Sequence, residues 1–214
     1  MNKHKAIAFG LVSTVLLSIN LLFNTPPALA HHAMGGKLPN NFGEGLISGL
    51  AHPVVGIDHL AFVIAIGLLA ALSTNLGMMI PAAFVVATAV GTGIHLQSIN
   101  LPVPELIISA SVLLIGIFLA QKNQVNWSIL AVISAIAGIF HGYAYGESIV
   151  GAETSALGAY LLGFCLMQLG ISAIAFYLGK RIINQPNKSI LWLRFAGFTC
   201  CGVGFAFLSN IVLG

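Results

Sequence analysis

Two short stretches combine histidine with a carboxylate inside otherwise apolar sequence. The first holds His52, Asp58 and His59, and the second holds His141 and Glu147. Imidazole nitrogens with a carboxylate suit a borderline divalent ion such as Ni²⁺, Co²⁺, Zn²⁺ or Cu²⁺, whereas Mg²⁺ and Ca²⁺ prefer cages of oxygen. The residue types therefore indicate a site for a transition metal or for protons.

The spacing within the first stretch suggests how it is folded. His52 and His59 are seven residues apart, so they share a face if one helix runs through both. Pro53 either begins a helix directly after His52 or kinks an existing one. In both cases some backbone carbonyls beside a polar site lose their helical hydrogen bonds. Asp58 can ligate a metal directly or accept the N–H of a ligating histidine.

Other polar residues in apolar sequence have two interpretations each. His95 is either a further ligand or a hydrogen-bonded side chain. Gln168, with Cys165 and Met167 beside it, either lines a path further into the membrane or forms packing and a helix–helix hydrogen bond. These residues are possible additions to the site that the two motifs predict.

The composition excludes a soluble protein. Of the 214 residues, 58% are hydrophobic and 6% are charged, against about 25% charged in an average soluble domain. The net charge of +3 has no basic cluster behind it, so nucleic acid is not an expected partner. Cys200 and Cys201 are adjacent, and no CxxC pair exists. We therefore expect an integral membrane protein whose partners are the lipid bilayer and a small ion.

The first 30 residues have the pattern of a secretory signal peptide. Lys3 and Lys5 precede an apolar run over 6–23, and an A-x-A sequence ends at Ala30. The alternative is an uncleaved first transmembrane helix. Cleavage after Ala30 leaves a periplasmic segment over 31–44, in which His31 and His32 either capture metal or form a simple tail.

The remaining chain, 45–214, predicts an all-α bundle of six transmembrane helices. About 20 apolar residues cross the hydrocarbon core, and the candidate spans are 45–73, 77–98, 104–121, 126–146, 155–179 and 190–213. The connections are short, so we expect neighbouring helices to pack antiparallel. The many glycines inside the spans, such as Gly142 and Gly146, predict close helix contacts.

The loop charges predict the same orientation as the signal peptide. The turns expected in the cytoplasm carry only basic residues, and the outer segments carry most of the acids, including Glu44, Glu147 and Glu153. Both mature termini are then periplasmic, and the protein lies in the inner membrane. His52, His59, His95 and His141 all fall in the outer half of the bilayer.

Gly-Ile precedes a histidine in three spans, at His59, His95 and His141. Two of these spans, the first and the fourth, point in opposite directions, as an inverted three-plus-three repeat requires. A chain this rich in glycine and isoleucine also produces such echoes by chance.

The segments His52-Pro-x-x-Gly-x-Asp-His59 and Phe140-His-Gly-x-Ala-x-Gly-Glu147 resemble those of the HupE/UreJ family. This family comprises small bacterial membrane proteins regarded as nickel or cobalt permeases. The resemblance covers nearly the whole chain after the signal peptide. It implies that the metal residues are His52, Asp58 and His59 in the first span, with His141 and Glu147 at the end of the fourth.

These observations predict a permease that imports Ni²⁺, or Co²⁺, and not an enzyme with a resident cofactor. The ion enters a vestibule lined by acidic residues and exchanges water for the histidines and Asp58. One alternative is an intramembrane zinc hydrolase with Asp58 or Glu147 as its base. A less favoured one is a haem-binding electron carrier that uses His59 and His141 as axial ligands.

Overall fold

A computed structural model describes residues 37–73, 76–121, 125–184 and 189–213. The predicted signal peptide, His31 and His32 lie outside the described residues. Every regular element within those ranges is a helix. The helices are α1 Phe42–Val55, α2 Ile57–Leu72, α3 Met79–Leu96, α4 Pro104–Ala120, α5 Trp127–Glu147, α6 Thr154–Ile183 and α7 Ser189–Leu213.

The helices have the length and composition of a multi-pass membrane protein. Four of them, α3, α5, α6 and α7, are each long and apolar enough to cross a bilayer. The successive helices α1 and α2 pass the same test only as a pair, and they are bent by 78°. The 17 residues of α4 form a shorter apolar helix. The described chain thus contains four candidate crossings, or five if the bent pair is one.

The predicted first span is divided at Gly56. α1 continues through Pro53 to Val55, so the first of the two interpretations of Pro53, that a helix begins there, is wrong. Gly56 is extended (φ −75°, ψ 102°), and its N–H still donates to the carbonyl of His52 at 3.2 Å. α2 then starts in a new direction. His52 and His59 consequently do not share the face of one continuous helix.

Glycines bring particular helices into backbone contact. A Cβ atom at Gly45 or Gly49 of α1 would overlap the backbone of α6, and one at Gly91 of α3 or Gly142 of α5 would overlap the other helix of that pair. α4 and α7 meet in the same way at Gly204. The expectation of close glycine contacts is confirmed at these positions.

The closest helix pairs are not sequence neighbours. α6 runs parallel to α1 and α2, α3 runs parallel to α5, and α4 runs antiparallel to α7. The prediction that neighbouring helices pack antiparallel therefore misses the main contacts. The two halves of the bundle correspond helix by helix: α1–α2 to α5, α3 to α6, and α4 to α7. If each helix is replaced by its counterpart, the pair α1–α2 with α6 becomes the pair α5 with α3, and α4 with α7 becomes itself. The set of contacting pairs is therefore unchanged. That pattern is the one an inverted repeat produces.

Basic side chains gather at the end of the bundle opposite Gly56. Lys180 donates to the carbonyl of Ser73 at the end of α2, and Arg194 donates to the carbonyl of Ala120 at the end of α4, with distances of 3.4 and 2.9 Å. Both cations meet carbonyls that lack partners within their own helix. The ends of the bundle thus differ in charge as the sequence predicts.

Candidate metal site

Three histidines from separate helices converge in the core. His52 lies in the last turn of α1, His59 in the first turn of α2 and His141 in α5, and all three are fully buried. The ring centroids of His52 and His59 are 5.9 Å apart, and those of His59 and His141 are 4.7 Å apart. The break at Gly56 turns the chain so that α1 and α2 both deliver a histidine to one place.

Aromatic rings enclose these histidines. The ring of Tyr145 packs against both His52 and His59, with centroid distances of 4.6 Å in each case. Phe62 and Phe84 pack against the His141 ring on its other sides. The imidazoles are therefore shielded from lipid and water, in surroundings where a polar group needs a specific partner.

A tyrosine fixes the proton position of His52. The hydroxyl of Tyr160 is 2.9 Å from His52 Nδ1 and 2.9 Å from the carbonyl oxygen of Tyr145. A carbonyl can only accept, so the single hydroxyl hydrogen goes to Tyr145 and the oxygen accepts from His52 Nδ1–H. The lone pair of the neutral His52 ring then lies on Nε2.

A second chain of hydrogen bonds does the same for His59. The hydroxyl of Ser111 donates to the carbonyl of Ile108 at 2.6 Å, so it accepts from His141 Nε2–H at 3.0 Å. His141 Nδ1 is then an acceptor, and it lies 2.6 Å from His59 Nδ1. His59 therefore donates from Nδ1 and has its lone pair on Nε2, the atom that a metal could bind.

Asp58 is buried beside this cluster, but its described contact is local. Its Oδ1 accepts the backbone N–H of His59 at 2.8 Å in the first turn of α2. A carboxylate there stabilises the positive end of the helix. Gly56 makes room for both neighbours, because a Cβ at that position would lie 2.5 Å from His59 Cδ2 and 3.2 Å from Asp58 Oδ1.

The remaining predicted site residues lie outside the histidine cluster. His95 is at the end of α3, where it packs on Gly146 and its ring is 4.3 Å from that of Tyr143. Glu147 is exposed at the end of α5. Glu44 lies in the first turn of α1, where its backbone N–H donates to Asn41 Oδ1 and its carboxylate accepts from the Asn41 side-chain amide and the Asn40 backbone N–H.

The three histidines do not form a ready coordination sphere. Within the described ranges, no three His, Cys, Asp or Glu side chains are grouped so that they could hold a metal ion. What the structure provides is two imidazole lone pairs, each fixed by a hydrogen-bonded partner. A bound ion would take its other ligands from neutral oxygens or water.

The sequence did not point to three residues that shape this site: Ser111, Tyr145 and Tyr160. Tyr145 could have been found, because it follows His141 by four residues and so lies one turn along the same face. Ser111 and Tyr160 lie on α4 and α6 without a nearby motif. Only the packing of the helices shows that their hydroxyls reach the histidines.

Comparison with known proteins gives the family. The model of the family described as HupE / UreJ protein matches residues 19–207. The chain belongs to the HupE/UreJ family. A curated relative, Protein HupE of Rhizobium leguminosarum bv. viciae, is 28% identical over 178 residues, which cover 80% of this chain and 87% of that protein. No solved structure matches.

Family membership confirms the resemblance found in the motifs. It supports a role in metal-ion transport across a membrane, because HupE/UreJ proteins are transporters rather than enzymes. The helices long enough to cross a bilayer agree with that role.

Proposed function

We propose that this HupE/UreJ protein is a permease that imports Ni²⁺, and also Co²⁺, from the periplasm. One observation supports the proposal most strongly. His52 and His59, on opposite sides of the Gly56 break, are both held in the tautomer that presents Nε2 as a ligand. Imidazole is a suitable ligand for nickel, and a histidine fixed through its other nitrogen is a better one.

In this proposal the ion binds mainly to His52 and His59, and His141 orients the His59 ring through a hydrogen bond. His141 Nδ1 accepts the hydrogen bond from His59 Nδ1–H, and its own Nε2–H donates a hydrogen bond to the hydroxyl of Ser111. Such partners commonly change metal affinity by roughly 10- to 100-fold. Asp58 adds negative charge at the same place, next to the His59 backbone.

The proposed topology has six crossings in the inner membrane. The bent pair α1–α2 is the first crossing, and α4 is the third despite its 17 residues. A cleaved signal peptide places the mature N-terminus, and therefore the C-terminus, in the periplasm. The basic side chains Lys180 and Arg194 at the opposite end support this orientation.

Entry takes place at the periplasmic end, where Glu147 and Glu153 are exposed. These carboxylates attract a hydrated cation, and His95 lies in the same region, next to Gly146. The sequence has no GxxxxGK[ST] segment for ATP hydrolysis. The membrane potential assists a divalent cation by about 4.6 kcal/mol per 100 mV.

The two alternatives agree less well with the geometry. A haem cannot lie between His59 and His141, because their Nδ1 atoms are 2.6 Å apart. An apolar groove of about 410 Å³ lies between α2 and α7 in the described part of the chain, and it is large enough for part of a lipid-like substrate. Its lining contains Leu60, Thr199 and Cys200 but no histidine or carboxylate, so a zinc hydrolase would have no catalytic group there.

The test is uptake of radioactive nickel and cobalt by cells that express the protein. We expect His59→Ala to reduce uptake to the level of cells without the protein, because it removes a ligand and breaks the contact with His141. Tyr177→Phe, an exposed position on α6, is the control and should transport normally. Equal uptake by His59→Ala and the unaltered protein, at equal amounts in the membrane, would refute the proposal.

A further inference from the structure

Two pairs of aromatic rings lie beside the histidine cluster. Phe62 of α2 and Phe84 of α3 have ring centroids 4.8 Å apart, and we call them the inner pair. Tyr145 of α5 and Phe164 of α6 have ring centroids 5.1 Å apart, and we call them the outer pair. All four side chains are fully buried.

The aromatic residue that follows each motif histidine packs on the histidine of the other half. Phe62 follows His59 by three residues, and its ring centroid is 4.7 Å from that of His141. Tyr145 follows His141 by four residues, and its ring centroid is 4.6 Å from that of His59. Because α2 corresponds to α5, the positions of Phe62 and Tyr145 are equivalent in the two halves.

The second members of the two pairs are equivalent in the same way. Phe84 precedes Thr88 by four residues on α3, and Phe164 precedes Gln168 by four residues on α6. The side chains of Thr88 and Gln168 meet at 3.2 Å, so these positions of α3 and α6 face each other where the halves join. The correspondence of α3 with α6 thus relates Phe84 to Phe164.

The two pairs lie toward opposite ends of the bundle. α2 runs from the histidines to the basic end, where Lys180 contacts its last turn, so the inner pair lies on that side. α5 runs from the basic end to Glu147, so the outer pair lies on the other side of the histidines. An inverted repeat produces this arrangement, because it places equivalent residues on opposite sides of a central site.

The core on the basic side of the inner pair is apolar over more than one helix. Ile66 of α2, Ile80 of α3 and Ile115 of α4 are fully buried and belong to the same apolar cluster as the inner pair. A hydrated cation would have to lose its water to pass such side chains, which is costly. The inner pair therefore closes the histidines off from the basic end in this conformation.

We propose that the inner pair and the outer pair are the two gates of the transport path and that they open in turn. The inference rests on the proposed function, in which the histidines hold the ion between the gates. Apolar constrictions block ions by excluding water. When one half moves against the other, the outer pair separates to admit the ion from the periplasm, and the inner pair separates to release it into the cytoplasm.

The experiment measures how fast a charged, membrane-impermeant thiol reagent reaches a cysteine placed beside the histidines. Ser111→Cys puts a thiol in place of the hydroxyl that contacts His141. Inside-out vesicles present the cytoplasmic side of the protein to the reagent, and right-side-out vesicles present the periplasmic side. The chain has three cysteines of its own, so the labelling of each variant without Ser111→Cys is subtracted.

Removing the rings of one gate should raise the labelling rate from one side alone. We expect Phe62→Ala with Phe84→Ala to raise it about tenfold in inside-out vesicles and to leave it unchanged in right-side-out vesicles. Tyr145→Ala with Phe164→Ala should have the reverse effect.

The control is Phe205→Ala, which removes an exposed ring of α7 and should leave labelling unchanged from both sides. A rate that rises equally from both sides in the gate variants, or that rises from neither side, would overturn the inference. If a double variant does not accumulate in the membrane, Phe84→Leu and Phe164→Leu decide by the same comparison, because each removes one ring and keeps an apolar side chain.

The labelling uses no nickel, so the gates and the proposed function can fail separately. Nickel uptake by His59→Ala is measured in the same cells. Normal uptake in that variant refutes the histidines as the ion site, whereas labelling that does not depend on the side refutes the gates.

Discussion

At the scale of single residues, two hydroxyl groups determine the tautomers of the histidines. Tyr160 and Ser111 each give their hydrogen to a backbone carbonyl and accept one from an imidazole. Neither touches the proposed ion. Their effect is to fix which ring nitrogen has the lone pair.

Removing the Tyr160 hydroxyl should weaken metal binding without unfolding the protein. In Tyr160→Phe, His52 Nδ1 loses its acceptor, so the ring no longer favours the tautomer with its lone pair on Nε2. We expect the Kd for Ni²⁺ to rise by roughly 10- to 100-fold, measured by equilibrium dialysis of the purified protein. Tyr177→Phe on the same helix should bind as the unaltered protein does, and equal Kd values for both variants would contradict the assignment.

Ser111→Ala tests the other chain of hydrogen bonds. It removes the acceptor of His141 Nε2–H, and through His141 it loosens His59. We expect a similar rise in Kd by roughly 10- to 100-fold, with recovery in Ser111→Thr, which restores a hydroxyl. Ser109→Ala, another buried serine of α4, is the control. A Kd unaffected by Ser111→Ala would show that His141 needs no partner.

The residue types of the site could be predicted from sequence, because ionisable groups in apolar stretches are expensive and therefore informative. That reasoning found His52, His59 and His141, which the structure brings together. It could not separate them from Glu147, which is exposed, because side-chain direction depends on helix packing. The partners Ser111 and Tyr160 were missed because neutral hydroxyls are common in such helices.

At the scale of helices, the break between α1 and α2 is the feature that builds the site. Pro53 indicates a disruption from sequence alone, but it does not determine where the helix ends. The end falls at Gly56, where a small residue allows His59 and Asp58 to approach the backbone.

Gly56→Ala should therefore damage the site more than the fold. The backbone angles of Gly56 (φ −75°, ψ 102°) are accessible to alanine, but the new Cβ would lie 2.5 Å from His59 Cδ2. We expect nickel uptake to fall while the protein still accumulates in the membrane. Normal uptake at normal abundance would mean that the His59 ring moves aside without loss.

Two glycines of α3 provide a matched test of helix packing. A Cβ at Gly91 would overlap the carbonyl of Ile139 on α5, whereas nothing lies within 4 Å of one at Gly93. We expect Gly91→Ala to lower the free energy of unfolding by about 1–3 kcal/mol. Gly93→Ala should be neutral or slightly stabilising. Thermal unfolding in detergent compares them, and equal melting temperatures would contradict the close contact of α3 and α5.

Helix lengths could be predicted from the apolar stretches, but helix partners could not. The segments 77–98, 126–146, 155–179 and 190–213 correspond to α3, α5, α6 and α7 within a few residues. Short loops suggested that neighbours in sequence pack together. In lipid, two helices pack closely where both have small residues at the contact. The sequence shows where the glycines are, but it does not show which helix each of them contacts.

At the scale of the whole molecule, the two halves α1–α4 and α5–α7 form equivalent helix pairs. Exchanging α1–α4 with α5–α7 preserves the helix pairing, and the 2.6 Å contact between His59 and His141 joins one half to the other. Relative movement of two such halves is a common basis of transport. A movement of that kind would open the contact between His59 and His141.

The proposed orientation is tested by reporters fused to the C-terminus. If the number of membrane crossings differed from six by an odd number, the end of α7 would lie on the cytoplasmic side of the membrane. We expect alkaline phosphatase fused after residue 214 to be active, because it folds only in the periplasm, and green fluorescent protein at the same place to be dark. The opposite pair of results would contradict the six-crossing topology.

The central claim is that His52 and His59 hold the transported metal. The most direct measurement is nickel-edge X-ray absorption of the purified protein with one equivalent of Ni²⁺. We predict nitrogen and oxygen ligands at about 2.0–2.1 Å, with scattering from two imidazole rings, one of which disappears in His52→Ala and one in His59→Ala. A spectrum without imidazole scattering, or one unchanged in both variants, would contradict the account.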